Sequence, residues 1–217
     1  MYELAGALYY RYERTGSVVD FNEAILIGRE LLSVCPAPHP NRPPSLNFLG
    51  ILISERFQRT GSTADFEEAT SMLREVLTLL PTTDPRRSFS LGSLGDLLME
   101  HFATTGSMTE LEEAILLYRE SLSFRPTPHP NRSNSLNGLA CALGDRFRKT
   151  GSMTDLEEAI SMLREALSLD SAATHRHRLF FLKNLALFLE DRFEENGSQS
   201  DFEEAASLRR EILAMSK

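Results

Sequence analysis

Apolar residues recur along this chain in short blocks, each closed by a polar break. In one block Leu136, Leu139, Ala140, Leu143 and Phe147 fall three or four residues apart, the spacing that gathers them on one face of an α-helix. The next block does the same with Leu156, Ala159, Ile160, Leu163, Ala166 and Leu167. Neither alternates in the manner of a strand. The pattern predicts amphipathic helices in pairs, an A segment followed by a B segment.

The pairs themselves recur. Thr-Gly-Ser stands at Thr15-Gly16-Ser17, Thr60-Gly61-Ser62, Thr105-Gly106-Ser107 and Thr150-Gly151-Ser152, with a variant copy at Asn196-Gly197-Ser198. These glycines lie 45, 45, 45 and 46 residues apart. The same period carries His39-Pro40-Asn41-Arg42, Asp84-Pro85-Arg86-Arg87, His129-Pro130-Asn131-Arg132 and His175-Arg176-His177-Arg178, and the aromatics Tyr12, Phe57, Phe102, Phe147 and Phe193. Each glycine is placed to end an A helix in the left-handed conformation that a side chain disfavours. The serine after it opens a capping box, Ser17-x-x-Asp20 through Ser198-x-x-Asp201, with the acid near the positive end of the B helix. Pro36, Pro81 and Pro126 then stop the B segments, because proline cannot extend the amide ladder. Ser171 takes that place in the fourth repeat, where the loop is one residue longer. The expectation is an all-α chain of ten helices in five hairpins, approximately 1–38, 39–83, 84–128, 129–173 and 174–217, forming a single repeat domain over 1–217.

The B segments carry a further spacing: small residue, large residue four on, small residue three later, proline five later. Ala69, Leu73, Val76 and Pro81 follow it, as do Ala114, Tyr118, Ser121 and Pro126. Ala24, Gly28, Leu31 and Pro36 follow it with Gly28 at the bulky place; Ala159, Leu163 and Ala166 fit, and Ala205, Arg209 and Ile212 fit loosely. The A segments supply a large-x-x-Leu-small pattern in Leu46-x-x-Leu49-Gly50, Leu91-x-x-Leu94-Gly95, Leu136-x-x-Leu139-Ala140 and Leu182-x-x-Leu185-Ala186. Together these resemble the tetratricopeptide repeat, and the resemblance implies a right-handed α-solenoid. The 45-residue period exceeds the family's usual length of about 34. The lengthened unit looks like the repeat arrays of many fungal proteins, often found beside a caspase-like CHAT domain. Period alone also fits HEAT repeats and WD40 blades. The chain has no Trp and no strand alternation, which argues against WD40, and HEAT repeats do not predict the small-large-small-Pro spacing.

Charge narrows the function. The chain carries a net charge of −8 and a pI near 5.2, whereas phosphate recognition needs clustered cations. A nucleic-acid partner is therefore not expected. Of 23 basic residues only Lys149, Lys183 and Lys217 are lysines, and the arginines are suited to pairing with carboxylates between packed helices. Cys35 and Cys141 lie too many repeats apart to pair, which fits a reducing compartment. Neither a secretory leader nor an apolar run of membrane-spanning length is visible, so a cytoplasmic, soluble protein without a membrane partner is expected. His39 and His129 are read as turn residues in stacked repeats rather than converging metal ligands. The repeated acids Glu67-Glu68, Glu112-Glu113, Glu157-Glu158 and Glu203-Glu204 are read as compensating helix dipoles. No nucleophile or phosphate-loop motif appears. Neither an enzyme nor a cofactor is expected.

The resemblance implies a concave groove lined by the A helices. Carried over repeat by repeat, its positions are Tyr2, Asn47, Gly92, Asn137 and Lys183; then Gly6, Ile51, Asp96, Cys141 and Leu187; then Tyr10, Glu55, Glu100, Asp145 and Asp191. The last series is acidic in four repeats. It would draw a basic peptide into the groove, or else pair with the adjacent Arg11, Arg56, His101, Arg146 and Arg192 and amount to a solvated face. The candidate groove is thus Asn47, Glu55, Asp96, Glu100, Asn137, Asp145, Lys183 and Asp191. The lysines of a clamp for a peptide's terminal carboxylate are missing. The expected function is a protein-interaction scaffold; alternatives are a regulatory repeat region of a larger fungal effector such as a CHAT-type protease and, against the charge, a nucleic-acid binder. Without a polar capping helix, the chain is also expected to self-associate through its ends or to belong to a longer protein.

Overall fold

The computed structural model describes residues 1–169 and 175–215. They form ten α-helices and no strand: α1 (Tyr2–Thr15), α2 (Val18–Ser33), α3 (Arg42–Thr60), α4 (Thr63–Leu79), α5 (Arg87–Thr105), α6 (Met108–Ser123), α7 (Arg132–Thr150), α8 (Met153–Leu169), α9 (His175–Asn196) and α10 (Gln199–Met215). Odd-numbered helices are the A segments, even-numbered ones the B segments. The chain divides into two compact units, residues 1–106 with α1–α5 and residues 107–217 with α6–α10. In the first unit α1 packs on α2, α2 on α3, α3 on α4, α4 on α5, and α3 also touches α5. In the second, α6 packs on α7, α7 on α8, α8 on α9, α9 on α10, and α7 touches α9. Ser171 and the side chain of His175 lie outside the described residues.

The Thr-Gly-Ser turn explains why each A helix stops where it does. Gly16, Gly61, Gly106, Gly151 and Gly197 all have φ between +66° and +72°. Their N–H groups donate to the carbonyls of Tyr12, Phe57, Phe102, Phe147 and Phe193 at 2.7–2.8 Å, satisfying acceptors that a helix end leaves open. The threonine hydroxyl donates back to the carbonyl four residues earlier and accepts the serine N–H, as in Thr60 with Arg56 and Ser62. In the fifth copy Asn196 Oδ1 accepts the Ser198 N–H at 2.9 Å, so the exchange of Thr for Asn keeps the acceptor. A Cβ on Gly61 would meet nothing within 4 Å. Gly61→Ala is therefore expected to cost only backbone strain, about 1–2 kcal/mol, and Gly61→Asn less; urea unfolding with equal loss for both substitutions would contradict this.

The capping box is half as expected. Ser17, Ser62 and Ser152 accept the N–H of Asp20, Asp65 and Asp155 at 3.4 Å. The acids, however, turn to the preceding helix. Asp20, Asp65, Asp155 and Asp201 each take a two-pronged bond, at 2.5–2.8 Å, from an arginine nine residues earlier: Arg11, Arg56, Arg146 and Arg192. The fork ties the end of an A helix to the start of its B helix across the turn. In the third repeat the corresponding residues are His101 and Glu110, and the His101 ring stacks on Phe66 at 3.9 Å and 13°.

Other arginines join neighbouring elements. Arg29 reaches Glu68, Arg119 reaches Glu158 and Arg164 reaches Glu204 at 2.6–2.8 Å, so the second acid of these Glu pairs links successive B helices in addition to any dipole effect. Arg42, Arg87 and Arg132 donate to the carbonyls of Cys35, Leu80 and Arg125 at the end of the preceding B helix. His39 and His129 Nδ1 accept the N–H of Asn41 and Asn131 at 3.1 Å, and Asp84 does the same for Arg86 at 2.9 Å. These residues shape the turn.

The small positions of the B helices are core. Ala24, Ala69, Ala114, Ala159 and Ala205 are all buried. Gly28, the departure at the bulky place, makes room for the next A helix, since a Cβ there would stand 3.1 Å from Leu49 Cδ1. Arg209, the loose fit in the last repeat, is exposed and donates to Glu190 at 2.7–2.9 Å.

Candidate functional site

In the first unit the A helices α1, α3 and α5 line two adjoining cavities. One, of about 290 Å³, is walled by Tyr9, Ile51, Ser54, Glu55, Ser93 and Asp96. The other, of about 440 Å³, is walled by Tyr2, Tyr9, Asn47, Phe48, Ile51 and Phe89. Tyr9 and Ile51 belong to both. The register of α3 orders them, because Asn47, Ile51 and Glu55 succeed one another every fourth residue on one helical face. An aromatic, apolar end thus leads into an acidic one. Tyr2 and Phe48 rings lie 5.5 Å apart, and Phe89 is half exposed. Asn47 Oδ1 accepts the Ser90 hydroxyl at 2.7 Å, holding α3 to α5.

Glu55 is the half-buried charge of this groove. Burial first, and then hydrogen bonding to Glu55, raises the Tyr9 phenol well above its ordinary range. The same carboxylate, through a hydrogen bond, is the first cause of the upward shift of Tyr12. Both phenols stay protonated at neutral pH, and the Tyr12 oxygen also accepts a long bond from Arg59 at 3.5 Å. Asp96 lies exposed on the facing wall. Glu100, one turn further along α5, is exposed and is not among the residues walling either cavity.

The equivalent residues of the second unit are engaged differently. Arg148 donates to Asp145 at 3.1 Å and to Asp191 at 2.9 Å, with its guanidinium 5.4 Å from the Phe188 ring centre. Burial pushes the Asp145 carboxyl upward against the pull of Arg148. Asn137 Oδ1 accepts the Asn184 amide at 2.9 Å, and that amide also approaches Cys141 Sγ at 3.2 Å. Lys183 is exposed. The acids therefore pair with Arg148, not with the adjacent Arg146 and Arg192, which are committed to Asp155 and Asp201.

Of the sequence-derived positions, the structure brings Asn47, Glu55 and Asp96 to one groove and joins Asp145 with Asp191 through Arg148. Tyr9, Phe48 and Phe89 were not among them. Tyr9 has Ser54 and Gly144 at its equivalent places, so no repeating signal marked it. Tyr10, its neighbour in the acidic series, is 65% exposed.

Residues 133–175 match the family model of the tetratricopeptide repeat. The fourth repeat is thus of the tetratricopeptide type. The nearly identical TPR-like repeats of a Podosopora anserina protein superpose with a TM-score of 0.63 at 20% identity, over 99% of this chain and 95% of that one. A MamA RS-1 double mutant gives 0.59 at 15% identity, over 96% of each chain. BtubC from P. vanneervenii gives 0.57 at 15%, over 99% of this chain and 87% of that one. At such identities these similarities show the fold alone. No curated protein matches the chain. Tetratricopeptide repeats are generally non-catalytic scaffolds for contacts between proteins. Among the described residues, no helix is long and apolar enough to cross a membrane, and no three His, Cys, Asp or Glu side chains converge as a metal site.

Proposed function

We propose that this tetratricopeptide-repeat chain is a protein-interaction scaffold that receives a basic polypeptide segment on the A-helix face of its first unit. The observation that carries the reading is Glu55, whose charge sits in a groove beside apolar walls and is met by neutral phenols. In the second unit, by contrast, Arg148 bridges the corresponding acids Asp145 and Asp191. A carboxylate in a partly desolvated cleft attracts a cation more strongly than one on an open helix.

An array of basic, neutral and acidic 12-residue peptides tests this. Basic peptides are expected to bind best. Glu55→Lys with Asp96→Lys should weaken them at least about tenfold, roughly 1.4 kcal/mol. Reversing exposed Glu30 and Glu67 on the B helices changes net charge equally and should leave affinity almost unaltered. Equal loss in both double variants would reduce the effect to the chain's overall charge of −8 and remove the groove from the account.

A further inference from the structure

The groove has a length, and the length sets a pattern. Asn47 and Glu55 are eight residues apart on α3, about 12 Å at 1.5 Å per residue. The apolar cavity opens around Asn47, Phe48 and Phe89, the acidic one around Glu55 and Asp96, and Ile51 with Tyr9 forms their shared wall. An extended chain advances about 3.3 Å per residue and returns its side chains to the same face at every second residue. Residues i and i+4 of an extended chain, about 13 Å apart, therefore span the groove with both side chains directed inward. A separation of three or five would turn one of them away. A helix covering the same 12 Å would bring about eight residues into cavities of about 290 and 440 Å³, where the narrow course of an extended strand fits better.

We propose that the first-unit groove recognises an extended segment of a partner protein carrying an apolar side chain and, four residues away, an arginine or lysine. The apolar side chain seats against Phe48 and Phe89, and the cation meets Glu55 and Asp96. Between them, the side chain at the second position points into the shared wall of Tyr9 and Ile51 and must be small. The segment's charge follows from complementarity with the acidic end, and its anchor from the aromatic end. This inference rests on the proposed scaffold function and sharpens it.

The test uses the full chain and fluorescein-labelled decapeptides of Ser, Thr and Gly bearing one Leu and one Arg at separations from one to seven, read by anisotropy. Affinity is expected to peak at a separation of four, with about tenfold loss at three and five. Asp96→Asn and Glu55→Gln should each weaken the four-spaced peptide about fivefold or more and leave its Arg→Gln version unaffected. Phe89→Ser, at a half-exposed position, should instead weaken every Leu-bearing peptide while the helical circular dichroism stays intact. Affinity that depends on Arg but not on its separation from Leu would overturn the pattern and leave the basic-segment reading standing. So would failure of all the Leu and Arg peptides to bind while the basic 12-residue peptides do. If the charge reversals on the groove and on the B helices act alike in the earlier array, the underlying reading falls as well.

Discussion

Gly144→Ala is expected to lower stability by about 1–2 kcal/mol although alanine is the better helix former. A Cβ at this position of α7 would stand 2.3 Å from Cζ and 2.4 Å from Cε1 of Phe188 on α9. That ring is 2% exposed, with Arg148 stacked over it, so it has nowhere cheap to move. Overpacking of this kind typically costs about 1–3 kcal/mol, which outweighs the gain of about 0.5–1 kcal/mol from replacing glycine inside a helix. The sign should reverse once the ring is trimmed. In a Phe188→Leu background, Gly144→Ala is expected to be neutral or mildly stabilising, a coupling of about 1–2 kcal/mol. Gly6→Ala is the companion control, because a Cβ there meets nothing within 4 Å and only the helix-propensity gain remains. Urea unfolding of the four variants decides the matter. The same cost for Gly144→Ala in both backgrounds would mean that contact with Phe188 is not the cause.

Arg146→Met should be at least as damaging for the opposite reason, a buried charge left alone. Arg146 donates through Nε and Nη2 to Asp155 at 2.7–2.8 Å and through Nη1 to Glu112 at 2.8 Å. The Asp155 side chain is 8% exposed, whereas Glu112 is half exposed and can return to water. Removing the guanidinium strands Asp155 with its Ser152 contact, at a cost of about 2–4 kcal/mol. Arg146→Lys should recover less than half, since an ammonium cannot reproduce the planar fork. Replacing both partners, Arg146→Met with Asp155→Leu, should restore most of the loss.

The pH dependence follows from Asp155. The hydrogen bond from Arg146 holds its carboxyl below the ordinary range, so the folded chain releases this proton more readily than the unfolded one. The resulting stability is fully present above the ordinary carboxylate pKa of about 3.9. It disappears as pH falls through the lower folded value. The gap between the original chain and Arg146→Met should thus be constant from pH 7 to about 5 and close below about 4. A gap that widened on acidification would refute the assignment.

Much of the architecture was legible because it rests on local rules. The helix stops at Gly16, Gly61, Gly106, Gly151 and Gly197 follow from one backbone conformation, and the observed φ values agree. The buried alanines of the B helices follow from helical spacing. The destination of the capping-box acids did not. Asp155 lies three residues after Ser152 and nine after Arg146, and either partner is compatible with that spacing. Only the path of the turn between two packed helices brings the guanidinium to the carboxylate. Likewise, Glu55 and Asp145 occupy equivalent places in their repeats, yet one meets tyrosines and the other an arginine. The difference comes from Tyr9 and Arg148, residues that do not recur from repeat to repeat.

Periodicity alone therefore determined how many helices this chain forms, where they end and which stripes they bury, because helix spacing, capping and glycine conformation act over a few residues. Tertiary structure decided which charges are spent on joining helices and which line the groove of the first unit. That choice depends on side chains brought together from α1, α3 and α5 or from α7 and α9, and on how far packing removes each from water.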